Sequence, residues 1–348
     1  MAWSIELEGL GGRIIAEPDE TLYETLQRHG YRMRVSCRNG VCEICEIQLL
    51  QGEIEQRYPK KHCCVTAVDN QGGKPILACT SRPLSDVRVK IEGVRPPGVL
   101  VVKKLRCDIT SIEKLNSDVY RVRLQLPATG SLAAEFYAGQ YLDILLPDGR
   151  QASFSIGSAP EQGRDLELHI RHMPDSDMSC AILECLQNNA SVQIELPKGT
   201  CYLQATKINP QTRLIFAAAS TGFAQVKSVV EHLLANQYSN PIYLYWGARI
   251  EEDLYLERLP EQWASDHPHV HFIPVVSQPE HSPGWQGRCG LINDAILADF
   301  DSFEGVEIFA SGSPAMVYAL LDSCETRGFS ASQMHSDVFA YAPRPPKS

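Results

Sequence analysis

Ser36-Cys37-Arg38-Asn39-Gly40-Val41-Cys42-Glu43-Ile44-Cys45 decides how the chain reads, with Leu77-Ala78-Cys79-Thr80 as its complement. Three cysteines stand at C-x4-C-x2-C and a fourth follows far downstream, the spacing of a plant-type [2Fe-2S] site. Two irons and two bridging sulfides need four thiolates. A loop wrapped around such a cluster supplies three, and a distant strand closes the far side with the fourth. Gly40 lets the backbone come close where a Cβ would clash. A structural zinc site is the competing reading. Zinc sites usually pair cysteines as C-x2-C twice, and this stretch holds one such pair. The candidate metal ligands are therefore Cys37, Cys42, Cys45 and Cys79. A cluster of this kind carries one electron at a time, so the remaining chain is searched for a donor.

Length and composition bound that search. The 348 residues suggest two or three domains at about 150 residues each. A hydrophobic content of 44% with 21% charged residues is ordinary for a globular protein. No apolar run approaches the roughly 20 residues that span a bilayer. The N-terminal Met1-Ala2-Trp3-Ser4-Ile5-Glu6-Leu7-Glu8 alternates like a strand and lacks the build of a signal peptide. We therefore expect a cytoplasmic protein without membrane insertion, its 12 cysteines reduced thiols or cluster ligands. A net charge of −10 argues against a nucleic-acid partner. Residues 1–92 are nearly balanced, with 12 Lys/Arg and 13 Asp/Glu, so most of the negative charge lies downstream.

Within residues 1–92, Ile5 and Leu7, then Ile14 and Ile15, read as two strands around the turn Gly9-Leu10-Gly11-Gly12. Asp19-Glu20-Thr21 opens a short helix over Leu22 and Leu26 that stops at Gly30. Ile47, Leu49 and Ile54, and later Val87, Val89 and Ile91, give further strands. This succession fits a β-grasp ferredoxin. His62-Cys63-Cys64 falls outside the pattern and reads as a loop or a partly buried thiol pair, with redox sensing as the sharper alternative.

Gly93-Val94-Arg95-Pro96-Pro97-Gly98 reads as a stiff linker, placed at 93–102. From 103 to 205, alternating runs Cys107–Thr110, Val119–Leu124 and Gln140–Leu146, separated by turns at Pro127-Ala128-Thr129-Gly130 and Pro147-Asp148-Gly149, suggest a small antiparallel barrel. From 206 to 348, the buried runs Arg213–Ala219, Ile242–Trp246, Val270–Val276 and Val306–Ala310 alternate with helices. One helix presents Val226, Val229, Val230, Leu233 and Leu234 at helical spacing. That alternation is a parallel α/β sheet, whose ligands bind at the carboxyl ends of its strands. The whole is a multidomain α+β and α/β chain. His267, His269 and His271 share one strand face, a spacing that could suit a metal, with a solvated or packed role as the preferred reading.

Two resemblances give the chemistry a direction. The cluster stretch with its later Leu-Ala-Cys is similar to the ferredoxin module of bacterial multi-component reductases. Ala138-Gly139-Gln140-Tyr141-Leu142, followed by Ser153-Phe154-Ser155-Ile156-Gly157-Ser158, resembles the flavin barrel of the ferredoxin–NADP reductase superfamily. There the resemblance implies that Phe154 packs near the flavin and that the Ser155 hydroxyl bonds the ring near N5, with Tyr141 beside it. His169 and Ile170 match the next flavin-side strand, and Ser179 keeps a hydroxyl at a helix start. The family's phosphate-gripping arginine is replaced by Ala152, Arg150 lies two residues early, and where the family often continues with Gly-Gly this chain has Pro174-Asp175-Ser176-Asp177, whose carboxylates would repel a phosphate. The ring pocket is kept while the diphosphate grip is weakened, which leaves FAD and FMN both open.

The nucleotide loops resemble the same superfamily. Thr221 and Gly222 stand in a loop that is usually Gly-Gly-Thr-Gly, with Ala219 and Ser220 in place of two glycines. Arg249 follows the second strand of that sheet, and Ser311, Gly312, Pro314 and Met316 follow the fourth. Ser311 occupies a position beside the nicotinamide where many members carry cysteine. Asp337-Val338-Phe339-Ala340-Tyr341 is similar to the aromatic C-terminus of NAD(P)H–flavin reductases, which assigns Phe339 a place beside the flavin. In domain order the chain is similar to CDP-6-deoxy-δ-3,4-glucoseen reductases and to oxygenase reductase components. The resemblance implies a reductase that passes electrons from NADH or NADPH through flavin and cluster to an oxygenase or dehydrase component. Ser155, Ser311 and Phe339 are its candidate catalytic residues. A reductase of free flavin and a redox sensor without nucleotide binding are the rivals.

Overall fold

The computed structural model describes residues 3–10, 12–58, 61–68, 73–98, 100–128, 135–203 and 209–344, with the side chains of 58 and 61–65 outside that description. Two compact units, Met1–Val99 and Leu100–Ser348, divide the chain. The barrel and the parallel sheet share the second unit.

In the first unit β1 (Trp3–Leu7) pairs antiparallel with β2 (Arg13–Ala16). The turn between them contains Gly11, which lies outside the described residues. Helix α1 (Leu22–Arg28) starts with a complete capping box: Thr21 accepts from the Glu24 amide and the Glu24 carboxylate accepts from the Thr21 amide. Such a box satisfies two orphan amide donors at once. The remaining strands are β3 (Glu46–Tyr58), β4 (Lys61–Val68), β5 (Lys74–Leu77), β6 (Ser81–Pro83) and β7 (Val87–Lys90). The sheet runs β2-β1-β7-β3-β4, with β5 and β6 also pairing β3. Period-2 alternation turns Ile5, Leu7, Leu49, Val87 and Val89 inward against Leu22 and Leu26 of α1. This is the expected β-grasp architecture. His62-Cys63-Cys64 differs from the loop expectation: its backbone lies in β4, with Cys64 opposite Gln56 of β3. Its thiols lie outside the described residues.

The second unit opens with β8 (Lys103–Lys114), β9 (Val119–Gln125), β10 (Tyr141–Leu145), β11 (Gln151–Ser155), β12 (Asp165–Arg171), helix α2 (Asp177–Asn188) and β13 (Ser191–Lys198). The antiparallel order β11-β10-β13-β8-β9-β12 curls until the Gly157 amide just past β11 donates to Glu167 O in β12 at 2.7 Å. That bond nearly closes the barrel around Val122, Leu124, Leu142, Ile144, Leu168 and Ile194. The expected turn at Thr129-Gly130 lies outside the described residues.

Strand β14 (Arg213–Ala219) and helix α3 (Phe223–Ala235) begin the parallel sheet. They are followed by β15 (Ile242–Ala248), α4 (Arg258–Asp266), β16 (Val270–Val276), β17 (Arg288–Cys289), α5 (Ile292–Asp299), β18 (Val306–Ser311), α6 (Pro314–Glu325), β19 (Met334–His335) and α7 (Val338–Tyr341). The order β17-β16-β15-β14-β18-β19 puts β14 in the middle. Its alternate residues serve two cores: Leu214, Phe216 and Ala218 pack with α3, and Ile215 and Ala217 with α5 and α6. A strand covered on both faces reads as a continuous apolar run, as this one does. No helix among the described residues is long and apolar enough to cross a membrane.

Helix α3 joins the two halves of this unit. Its apolar stripe, Val226, Val229, Val230 and Leu233, lies on the sheet. Its polar residues bond the barrel. Gln225 Nε2 donates to Gly139 O at 2.6 Å, Lys227 Nζ to Gly157 O at 3.1 Å, and Ser228 Oγ to Ser158 O at 2.8 Å. Lys227 is also paired with Glu167 at 3.3 Å and Glu231 at 3.0 Å, all on largely buried side chains. Burial pushes the Glu167 carboxyl up, but the hydrogen bond from His169 and the Lys227 charge outweigh it and hold the group at about 2. Burial pushes His169 below its ordinary value, so its ring is neutral. It then donates from Nε2 to Glu167 at 2.9 Å and accepts the Tyr255 hydroxyl at Nδ1 at 2.9 Å.

A carboxyl depressed from 4.5 to about 2 stabilises the fold fully above its unfolded value and loses that contribution as pH falls through the window between. The expected size is about 3 kcal/mol. Glu167→Gln should therefore lower stability at pH 7 and flatten its dependence on pH between those limits. Urea unfolding followed by tryptophan fluorescence across the acid range checks this; an unchanged acid profile contradicts it.

Candidate functional site

The cluster ligands are positioned by strand register. Glu46 opposes Leu77 where β3 meets β5, and the Ala78 amide donates to Cys45 O at 3.0 Å. These pairings bring Cys45 Sγ and Cys79 Sγ to 3.2 Å, both buried. The other two thiols sit in a loop that turns through left-handed conformations at Arg38 (φ 56°), Gly40 (φ 79°) and Glu43 (φ 58°). Its amides point at sulfur: Val41 N and Cys42 N donate to Cys37 Sγ at 3.4 and 3.3 Å, and Cys37 N to Cys42 Sγ at 3.5 Å. Amide donors from Asn39 and Cys42 hold the Cys37 thiol down at about 6. Burial, reinforced by Cys45, pushes Cys79 up to about 12.

No group of three potential ligands converges on one ion among the described residues. The thiols instead form two pairs, 37 with 42 and 45 with 79, which is what two irons require of four cysteines. The donor set fits a binuclear cluster and does not fit a single tetrahedral zinc. His267 and His269 make an edge-to-face ring pair, and His271 stacks on Tyr243.

The second unit holds a cavity of about 650 Å³ where the barrel meets the parallel sheet. Tyr141, Phe154 and Ser155 line the barrel wall. Thr221, Gly222, Ser311 and Gly312 line the sheet wall, at the carboxyl ends of β14 and β18. The register that places Tyr141 opposite Ser155 in β10 and β11 sets the first wall. Close backbone approach sets the second. A Cβ on Gly222 would fall 2.2 Å from Ser311 O, so only glycine lets the two strand ends lie together. Ser220 (φ 52°) is fixed by Arg171 Nη1 on its hydroxyl at 3.0 Å and by Trp246 Nε1 on its carbonyl at 3.1 Å. Ser313 caps α6 by accepting from Met316 N at 3.3 Å, with Pro314 in the first turn.

Met316 and Arg249 line a neighbouring cavity of about 410 Å³, where Arg249 Nε lies 3.2 Å from Asp253. His169 also lines the main cavity, although its ring is turned to Glu167 and Tyr255; Ile170 faces the barrel core. Ser179 is committed to its own loop, accepting from Met173 N at 2.8 Å and donating to Arg171 O at 3.2 Å. Phe339 stands outside the lining and packs against Tyr318, while Tyr341 reaches the cavity.

Asp337, which sequence reasoning passed over, also lines the cavity. It accepts from Gln225 Nε2 at 2.8 Å and from the amides of Thr200 and Cys201 at 3.3 and 3.4 Å. Burial raises its carboxyl above the ordinary range. The signal was an acidic residue opening an otherwise apolar C-terminal motif. The walls fit a planar aromatic ring system, with hydroxyls at its edge and small residues opposite. Where the resemblance expects a phosphate-binding arginine, Ala152 packs on the barrel core, and Arg150 is bonded to Asp148 at 2.7 Å.

A cluster loop, an antiparallel barrel and a parallel nucleotide sheet define an iron–sulfur flavoprotein oxidoreductase. Three family models match in the same order: a 2Fe-2S iron-sulfur cluster binding domain over residues 5–84, an oxidoreductase FAD-binding domain over 106–202 and an oxidoreductase NAD-binding domain over 216–321. The chain is 33% identical to Protein RfbI of Salmonella typhimurium, covering 92% of each chain. It is 28% identical to the CDP-6-deoxy-L-threo-D-glycero-4-hexulose-3-dehydrase reductase of Yersinia pestis, covering 97% of this chain and 99% of that one. Among solved structures, the Amycolatopsis cytochrome P450 reductase GcoB is similar with a TM-score of 0.64 at 26% identity, covering 96% of this chain and 98% of that one. The chain belongs to the ferredoxin-fused reductases of the ferredoxin–NADP reductase superfamily. It is an NAD(P)H-dependent oxidoreductase with [2Fe-2S], flavin and nicotinamide-nucleotide domains.

Gly222→Ala places a methyl group against Ser311 O and forces the strand ends apart. The KM for the reducing nucleotide should rise at least about tenfold, a loss near 1.4 kcal/mol. Steady-state kinetics with NADH and with NADPH measure this; an unaltered KM for both contradicts it.

Proposed function

We propose that this chain takes reducing equivalents from NADH or NADPH at the barrel–sheet cavity and releases them singly to a separate acceptor protein of the dehydrase or oxygenase class. The observation that carries the reading is a single cavity bounded by Tyr141, Phe154 and Ser155 on one wall and by Thr221, Gly222 and Ser311 on the other. A flavin bound between these walls would supply the conversion of a hydride into single electrons, and Cys37, Cys42, Cys45 and Cys79 would hold a [2Fe-2S] cluster that supplies one-electron transfer. The chain orients these groups. Phe154 and Tyr141 offer aromatic packing to a ring, Ser155 a hydroxyl at its edge, and Gly222, Ser311 and Gly312 a close backbone approach for a nicotinamide. The acceptor class is taken from the dehydrase reductase and cytochrome P450 reductase names of the relatives. The cytoplasm is the proposed compartment, in keeping with ten described cysteines that are all free.

One observation favours a second reading, turnover of exchangeable flavin. Arg150 is already bonded to Asp148 and no cation stands at Ala152, so the phosphate end contributes little to retention.

Anaerobic mixing of the reconstituted protein with NADH and with NADPH should bleach the flavin band and then the cluster band. Cys79→Ser should abolish the second phase and leave the first. Bleaching of neither band with either nucleotide refutes the reductase reading. Turnover of added FMN by the Cys79→Ser protein at the wild-type rate, with flavin lost on gel filtration, selects the second reading.

A further inference from the structure

The arginines of the first unit divide into two sets. Arg13, Arg28, Arg57, Arg82 and Arg88 each lie within ion-pair distance of a carboxylate, on Glu6, Glu20, Glu55, Asp19 and Glu8 respectively. Arg32, Arg34, Arg38 and Arg95 have no carboxylate partner among the described residues, and all four are exposed. These four gather at the cluster loop. Arg34 and Arg38 flank Cys37 in the chain. The main chains of Arg32 and Arg95 exchange two hydrogen bonds, of 2.9 and 2.8 Å, which bring Arg95 to the entry of the loop. Arg38 is held by its left-handed backbone and by the Tyr23 ring, 5.5 Å beneath its guanidinium.

The same loop places two apolar side chains in water: Val41 is 67% exposed and Ile44 51%. They bracket the ligand Cys42. Unpaired guanidinium groups rarely collect without a counter-charge, because like charges repel and each gains from an opposite neighbour. An apolar centre with a charged rim is the composition of a protein interface. A polyanion such as nucleic acid would use the arginines and leave Val41 and Ile44 unexplained.

We infer that Arg32, Arg34, Arg38 and Arg95, around Val41 and Ile44, form the docking face for the electron acceptor, and that the acceptor presents carboxylates around an apolar patch. The inference deepens the proposed function and rests on the reading that electrons leave through the cluster. Glu43 on the same loop and Glu46 at the start of β3 are exposed, so the surplus of positive charge is modest. The chain as a whole is negative at −10. Screening over about 8–10 Å at physiological salt makes the local face, not that total, decide an encounter.

The test reduces the full-length protein with dithionite, so that it does not depend on nucleotide binding. Stopped-flow then follows cluster reoxidation by two probes: the haem domain of cytochrome b5, an acidic acceptor, and cytochrome c, a basic one. Reoxidation by cytochrome b5 should slow at least about threefold between 20 and 300 mM salt. Arg34→Glu with Arg38→Glu should slow it similarly at low salt, leaving the cluster spectrum and the direct reduction of ferricyanide unchanged. Cytochrome c should show the opposite salt trend. Salt-independent reoxidation by cytochrome b5, or no change in the charge-reversed protein, overturns the inference. So does a low-salt dimer that these substitutions abolish, which would assign the face to a second copy of the chain. Failure of NADH and NADPH to reduce the cluster would instead refute the proposed function and leave this result standing.

Discussion

Helix α3 has to be buried on two sides that ask for opposite chemistry, and the reductase unit is arranged around that requirement. One side rests on the parallel sheet through Val226, Val229, Val230 and Leu233. The other meets barrel backbone, whose carbonyls at Gly139, Gly157 and Ser158 need donors once water is gone. Gln225, Lys227 and Ser228 supply one donor to each. Lys227 brings a charge with it, and a buried charge is tolerated only when paired and bonded. Glu167 from β12 and Glu231 from α3 itself provide that pairing. Glu167 in turn needs donors, which His169 supplies along with Lys227. The position of the barrel relative to the sheet is thus written in a chain of obligatory bonds, and the cavity between them is its consequence.

The first unit meets a comparable demand with backbone alone. Four thiols must come together, and two of them, Cys45 and Cys79, do so within the hydrophobic core cluster of this unit. The β3–β5 register delivers Cys45 and Cys79 as a buried pair, and a loop with three left-handed residues delivers Cys37 and Cys42 with amides already aimed at sulfur. Donors turned toward sulfur favour the thiolate, which is the form iron binds. The loop is therefore organised for metal by its own conformation. The β-grasp sheet fixes where its two ends are.

These two devices differ in how far the sequence discloses them. The cluster spacing, the apolar alternation of the barrel and the buried runs of the parallel sheet follow local periodicity, and the observed elements sit where those patterns put them. The α3 contacts do not. Gln225, Lys227 and Ser228 sit beside an apolar stripe, where polar residues normally mean solvent; burying them depends on a barrel more than sixty residues away in the chain. The C-terminal motif shows the same limit. Its period is too short to reveal which aromatic faces the cavity, and α7 turns Phe339 toward Tyr318 while Asp337 and Tyr341 face the opening. The strand β4 was hidden for a related reason: His62-Cys63-Cys64 is recognisable as strand only through its partner β3.

The two ends of the barrel–sheet cavity also differ in what they ask of a cofactor. At the ring end Tyr141 and Ser155 are placed by strand register and Gly222 by its close approach to Ser311 O, so a ligand meets a preformed wall there. At the phosphate end the N-terminus of α2 is occupied by its own Ser176 cap, and Asp175 and Asp177 stand beside it. Arg150 is bonded to Asp148. A helix N-terminus attracts anions through free amides and its dipole; here Ser176 already accepts from the Ser179 amide, Arg150 is paired with a carboxylate, and Asp175 and Asp177 add negative charge. Burial and stacking of a ring are then the contacts left to a ligand of the walls formed by Tyr141, Phe154 and Ser155, and such contacts are insensitive to salt where ionic ones are not.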